Sequence, residues 1–108
     1  MPKNTAAPAH ERHRCPGKGV RVLAREPELL VLDADVRAVS SREIGLVLDE
    51  PLAEGSVVAV LDRHTSLGDS RILSARVAHA APLNLRAWLV RCRFASPLAE
   101  RELQALLN

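Results

Sequence analysis

Residues 38–49 read Ala-Val-Ser-Ser-Arg-Glu-Ile-Gly-Leu-Val-Leu-Asp, a short polar loop that runs straight into an alternating apolar segment. Ile44, Leu46 and Leu48 fall on every second position, the period of a strand with one face against a core; a helix would need spacings of three and four. The turn segment that follows, Glu50-Pro51-Leu52-Ala53-Glu54-Gly55, closes on a glycine and leads into 56–62, where Val57, Val58 and Val60 predict a further strand.

Working outward, the same rule holds on both sides. Residues 18–25 set Val20, Val22 and Ala24 against Arg21, Leu23 and Arg25 and stop at Glu26-Pro27. Residues 28–39 place Leu30, Leu32, Ala34, Val36 and Ala38 on one face, with Asp33, Asp35 and Arg37 on the other, as in a half-buried antiparallel strand. Beyond a loop at 63–70, residues 71–81 alternate Leu73, Ala75 and Val77 against Ser74 and Arg76. Residues 85–95 line up Trp88, Val90, Cys92 and Phe94 opposite Arg91 and Arg93. Ser96-Pro97 then predicts a helix start, with Ala99, Leu103, Leu106 and Leu107 as its apolar stripe over about 97–107. Short sequential strands with one closing helix predict an all-β fold: a small six-stranded antiparallel β-barrel whose closure protects its strand edges, plus one C-terminal α-helix. Residues 1–13, with Pro2, Pro8 and no periodicity, read as a flexible arm, and 14–108 as the barrel domain.

A chain of 108 residues is the length of one domain, and 47% hydrophobic with 26% charged residues is a globular composition. Aromatic content is only 2%, so aliphatic side chains must fill the core. A net charge of +2, with basic and acidic residues interspersed, does not make a nucleic-acid surface, so neither DNA nor RNA is an expected partner. No apolar run reaches the length of a membrane span or a signal peptide, which predicts a cytoplasmic protein without membrane insertion. Cys15 and Cys92 are far apart in sequence, and no disulfide is expected. His10, His13 and Cys15 fall short of a four-ligand zinc set, while His64, His79 and Cys92 lack paired spacing, so neither metal nor cofactor is expected. Asp62, His64 and Ser66 are close in sequence, but sequence proximity does not supply the geometry of a catalytic triad. No nucleophile-elbow, P-loop or metalloprotease motif occurs, and the chain reads as a non-enzyme.

About twenty-five residues before the Ser40 loop lies the basic segment Glu11-Arg12-His13-Arg14-Cys15-Pro16. Together with the loop it resembles the PilZ domain, a bacterial family of small β-barrels that receive the second messenger cyclic di-GMP. That family carries an R-x-x-x-R near the N-terminus and a later [D/N]-x-S-x-x-G. Set in phase with the Ile44-Gly45-Leu46 that follows, the second pattern puts Ala38 at the acidic or amide position, Ser40 at the serine and Glu43 at the glycine. The first pattern is also altered: four residues on from Arg14 is Lys18, and four back is His10. The resemblance extends over about 12–107 and includes the Cys92-x-Phe94 end of the last strand.

The resemblance implies that Arg12, Arg14 and Ser40 bind cyclic di-GMP, with Lys18, Arg37 and Arg42 as supporting cations. A ligand with two phosphates and two guanines calls for planar guanidinium groups, which pair bidentately with phosphate or with guanine O6/N7 and stack on bases. The departures act the other way. Alanine at 38 removes a hydrogen-bond acceptor, a loss of roughly 1 to 3 kcal/mol per desolvated donor, and Glu43 adds negative charge near the phosphates. The implied function is a signalling domain that binds cyclic di-GMP and relays this to an effector protein through a surface change, the arm ordering against the Ser40 loop. The alternative is a degenerate PilZ-like adaptor that binds protein and no nucleotide. Arg91 and Arg93 are secondary candidates for an anionic partner, although a strand pair of this kind also suits a solvated sheet face.

Overall fold

Strand alternation carries through to a closed barrel. The structure is a computed structural model that describes residues 13–25, 29–62 and 72–107. Its elements are β1 (His13–Ala24), β2 (Leu30–Val39), β3 (Glu43–Leu48), β4 (Val57–Asp62), β5 (Ile72–Asn84), β6 (Ala87–Phe94) and α1 (Glu100–Leu107). The six strands close in the order β1-β2-β3-β6-β5-β4, with every neighbouring pair antiparallel. Each strand sends alternate residues inward: Val20 and Val22 from β1, Ile44, Leu46 and Leu48 from β3, Val58 and Val60 from β4, Val90 and Cys92 from β6. A barrel of so few strands has a narrow interior, which valine, alanine, leucine and isoleucine side chains fill together with Phe94. Among the described residues no helix is long and apolar enough to cross a membrane.

Register shifts interrupt the alternation, and two of the places where they do so bear on the site. At Arg37, β2 changes register with β3, so Val36 lies opposite Leu46 but Ala38 lies opposite Gly45. Register with β1 shifts over the same stretch, between Arg14 and Lys18. An extra residue on one strand turns the following side chains over. Ala38 therefore leaves the core face expected for it and sits half-buried, while Val39 is buried at 1% exposure. The second break lies between Val77 and His79 of β5, opposite Cys92 and Arg91. Strict alternation would send His79 inward; with Ala78 as the extra residue it faces out, and Ala80 packs against the core instead.

The strands differ at their ends from the sequence expectation. β1 begins at His13 rather than at 18, and β5 runs on to Asn84. The helix begins at Glu100, later than Ser96-Pro97 suggests. Leu98 is buried and its amide donates to the Ser41 carbonyl at 2.7 Å, which holds this segment extended across the β2–β3 turn. The cap falls at Ala99: its carbonyl accepts the Leu103 amide at 3.0 Å, and its amide donates to the Glu102 carboxylate at 2.8 Å, the reciprocal half of a capping box. Eight residues are too few for a helix stable on its own, so tertiary packing through buried Leu106, against β1 and β2, holds α1 in place.

Candidate functional site

The β2–β3 turn is built on Ser40. Its amide donates to the Glu43 carbonyl at 2.8 Å, and its hydroxyl oxygen accepts the amides of Glu43 at 3.1 Å and Arg42 at 3.3 Å. Ser40 is 2% exposed, a buried polar residue in an otherwise apolar core. The hydroxyl is thus committed to the backbone of its own turn, as short polar side chains before a strand commonly are. The turn is fixed from the other side by β6 and the segment after it, since the Arg42 carbonyl accepts the Phe94 amide at 2.9 Å and the Ser41 carbonyl accepts that of Leu98.

Beside this turn, on the outer wall, an open groove of about 810 Å³ runs over β2, β3, β6 and β5. That volume lies in the range of small-molecule sites, roughly 300–1,000 Å³. Its apolar floor includes Ala38, Val47 and Leu89, and its charged margin Arg37, Arg91 and His79 with Asp35 and Glu43. Gly45 also lines the groove: a Cβ there would meet the Ala38 carbonyl oxygen at an ordinary 3.8 Å, so the backbone tolerates a side chain at this position.

Glu43 lies directly across the ladder from Arg93, and Gly45 from Arg91. The carboxylate reaches both arginines, with Oε2 at 3.5 Å from Arg93 Nη2 and Oε1 at 3.8 Å from Arg91 Nε. Its side chain is 21% exposed, against 48% for Arg91 and 70% for Arg93, so the acid lies beneath two open guanidinium groups. On the far rim His79 Nδ1 lies 3.1 Å from Glu54 Oε2.

The residues singled out by the sequence separate here. Arg37 lines the groove, and Ala38 and Glu43 line it too. Arg42 is exposed and takes part in the turn through its backbone. Register sets Arg14 opposite Ala38, His13 opposite Val39 and Lys18 opposite Val36, which brings the basic segment alongside the groove-bearing strand. Of the arm expected at 1–13, residues 1–12, Arg12 among them, lie outside the described residues, as does the loop expected at 63–70, whereas His13 opens β1. His79 was not foreseen, because the bulge that exposes it leaves no mark in the alternation.

No family model matches the chain, and no curated protein does. Among solved structures it is similar to MrkH of K. pneumonia in its apo state, with a TM-score of 0.60 at 13% identity over 90% of this chain. The chain spans 48% of the length of MrkH, and the likeness is one of fold: a PilZ-like barrel.

Proposed function

We propose that this barrel is a PilZ-like signalling domain that binds cyclic di-GMP in the groove beside the β2–β3 turn and passes the event to an effector protein. The observation that carries the reading is the register of β1 on β2. It sets Arg14 opposite Ala38, which lines the groove, so the two altered halves of the motif, far apart in sequence, are paired neighbours on β1 and β2. Within that groove Arg37 and Arg91 face Asp35 and Glu43, a near balance of charge. The surplus positive charge that a dianion needs therefore comes from the basic segment, from Arg12 and Arg14. Ser40 acts as the residue that shapes the turn rather than as a ligand donor, and Arg37 supplies the guanidinium at the rim. Pairing of the basic segment with the ligand would change the face offered to an effector.

Calorimetric titration with cyclic di-GMP, against GTP and the linear dinucleotide, tests this. Specific binding is expected in the parent protein. It should be lost when Arg12 and Arg14 are both changed to Ala, and when Gly45→Leu fills the groove floor. A second reading, an adaptor that binds protein alone, is favoured by Ala38 and by the carboxylate of Glu43 on Arg91 and Arg93. Absence of heat from folded protein at high ligand concentration selects that reading and overturns the first.

A further inference from the structure

We propose that Arg91 and Arg93 form an anion site for which Glu43 is the built-in counter-ion, and that a phosphate-bearing ligand binds by displacing the Glu43 carboxylate from them. The proposal rests on the groove as a binding site, and adds how its affinity is set.

Geometry separates this from an ordinary cross-strand ion pair. One carboxylate serves two guanidinium groups, at 3.5 and 3.8 Å. Charge-assisted hydrogen bonds are typically about 2.7–2.9 Å, so these are charge contacts that leave most arginine donors uncommitted. An arginine offers five N–H donors in a fixed fork, and Arg91 and Arg93 between them keep enough to take a phosphate bidentately. Accessibility points the same way: the acid is the shielded partner and both cations the open ones, so an incoming anion meets the guanidinium groups first. Arg91 and Glu43 both line the groove, so a phosphate beside Arg91 sits near the carboxylate and is repelled until that side chain turns away.

Such an arrangement sets a threshold. A monoanion exchanges one carboxylate contact for one of equal charge and gains little, whereas a ligand with two phosphates pairs both arginines and outweighs the lost contact. Glu43 is therefore a specificity-determining residue that disfavours singly charged ligands. If it were only a sheet-pairing residue, neutralising it would alter stability and leave anion affinity unchanged.

The test is calorimetric titration at one fixed salt concentration with two probes, cyclic di-GMP and inorganic pyrophosphate. The proteins are the parent chain, Glu43→Gln, Glu43→Ala, and the triple variant Glu43→Gln/Arg91→Ala/Arg93→Ala. The expected result is on the order of tenfold tighter binding of both probes by Glu43→Gln, the size of one ion-pair exchange at a partly shielded surface, abolished in the triple variant. Unchanged affinity in Glu43→Gln and Glu43→Ala, a gain that survives loss of both arginines, or failure of both single variants to fold would each overturn it. A gain for pyrophosphate with no cyclic di-GMP binding in any variant upholds the counter-ion and removes the messenger reading. Equal cyclic di-GMP binding by the parent and Glu43→Gln does the reverse.

Discussion

β3 and β6 carry two surfaces on alternate residues of the same strands, and the two obey different physics. Facing inward, Ile44 pairs with Cys92 and Leu46 with Val90, all at 0% exposure. Facing outward, Glu43 pairs with Arg93, and Gly45 with Arg91. The inner pairs are held by removal of apolar area from water, a short-range effect in which volume and shape decide the outcome. The outer groups interact through charge in a solvent that competes for every contact, so each pair contributes little and can be exchanged for another partner. The inner wall thus specifies the barrel, while the outer wall is free to specify a ligand. The β2–β3 turn joins the two, because Ser40 is buried like a core residue while its neighbours Ala38 and Glu43 line the groove.

The largest effect expected from this contrast is at Leu46. It is fully buried between Val36 of β2 and Val90 of β6, and Leu46→Ala should cost about 3 kcal/mol through lost transfer energy and a cavity. The next residue along, Val47, lies half-buried on the groove floor, and Val47→Ala should cost a small fraction of that. Urea denaturation read as a change in midpoint at constant slope measures both. Equal losses at 46 and 47 would break the distinction between the walls.

Ser40 comes next, because it belongs to both regions. Ser40→Ala removes the acceptor for the Arg42 and Glu43 amides without changing the charge of the groove. The expected loss is about 2 kcal/mol of stability, the cost of leaving partly buried donors unmet. Hydrogen exchange at residues 42 and 43 should rise with it. If stability and exchange both stay at parent values, the turn is held by the backbone bonds alone and Ser40 is released for another role.

Most of the barrel was legible in the sequence because burial on one side of a strand imposes a period of two, as at Val20, Val22 and Ala24 or at Ile44, Leu46 and Leu48. The reading fails where pairing with neighbours, rather than the local pattern, decides the outcome. Ala38 and His79 each follow an extra residue in their strand, and a bulge is fixed by registers on both sides that no single segment encodes. Ser96-Pro97 carries a valid helix-start signal, yet burial of Leu98 and its bond to Ser41 hold that segment extended. At the site, the motif pointed to Ser40 and Glu43 but not to their partners. That Glu43 meets Arg91 and Arg93 follows only from the pairing of β3 with β6, across some fifty residues of chain.

The smallest effect tests how dry the inner wall is. Cys92 is fully buried, with Ile44 and Val77 as its ladder partners, and burial pushes its thiol up from 9.0 to about 12 by disfavouring the thiolate. Below 9.0 the thiol is protonated in both folded and unfolded chains and stability does not depend on it. Between 9.0 and about 12 the unfolded chain loses the proton while the folded chain keeps it. The unfolded state then binds fewer protons, and stability must fall as pH rises. At about pH 10 the loss from this one group should be about 1 kcal/mol. Comparing the parent with Cys92→Ala at about pH 8 and pH 10 isolates it, since Cys15 is common to both proteins and cancels. The parent should lose that much more stability than the variant over the interval. Parallel losses would mean that Cys92 ionises in the folded barrel as readily as in water, and the inner wall would then be open to solvent at the point where β3, β6 and β5 meet.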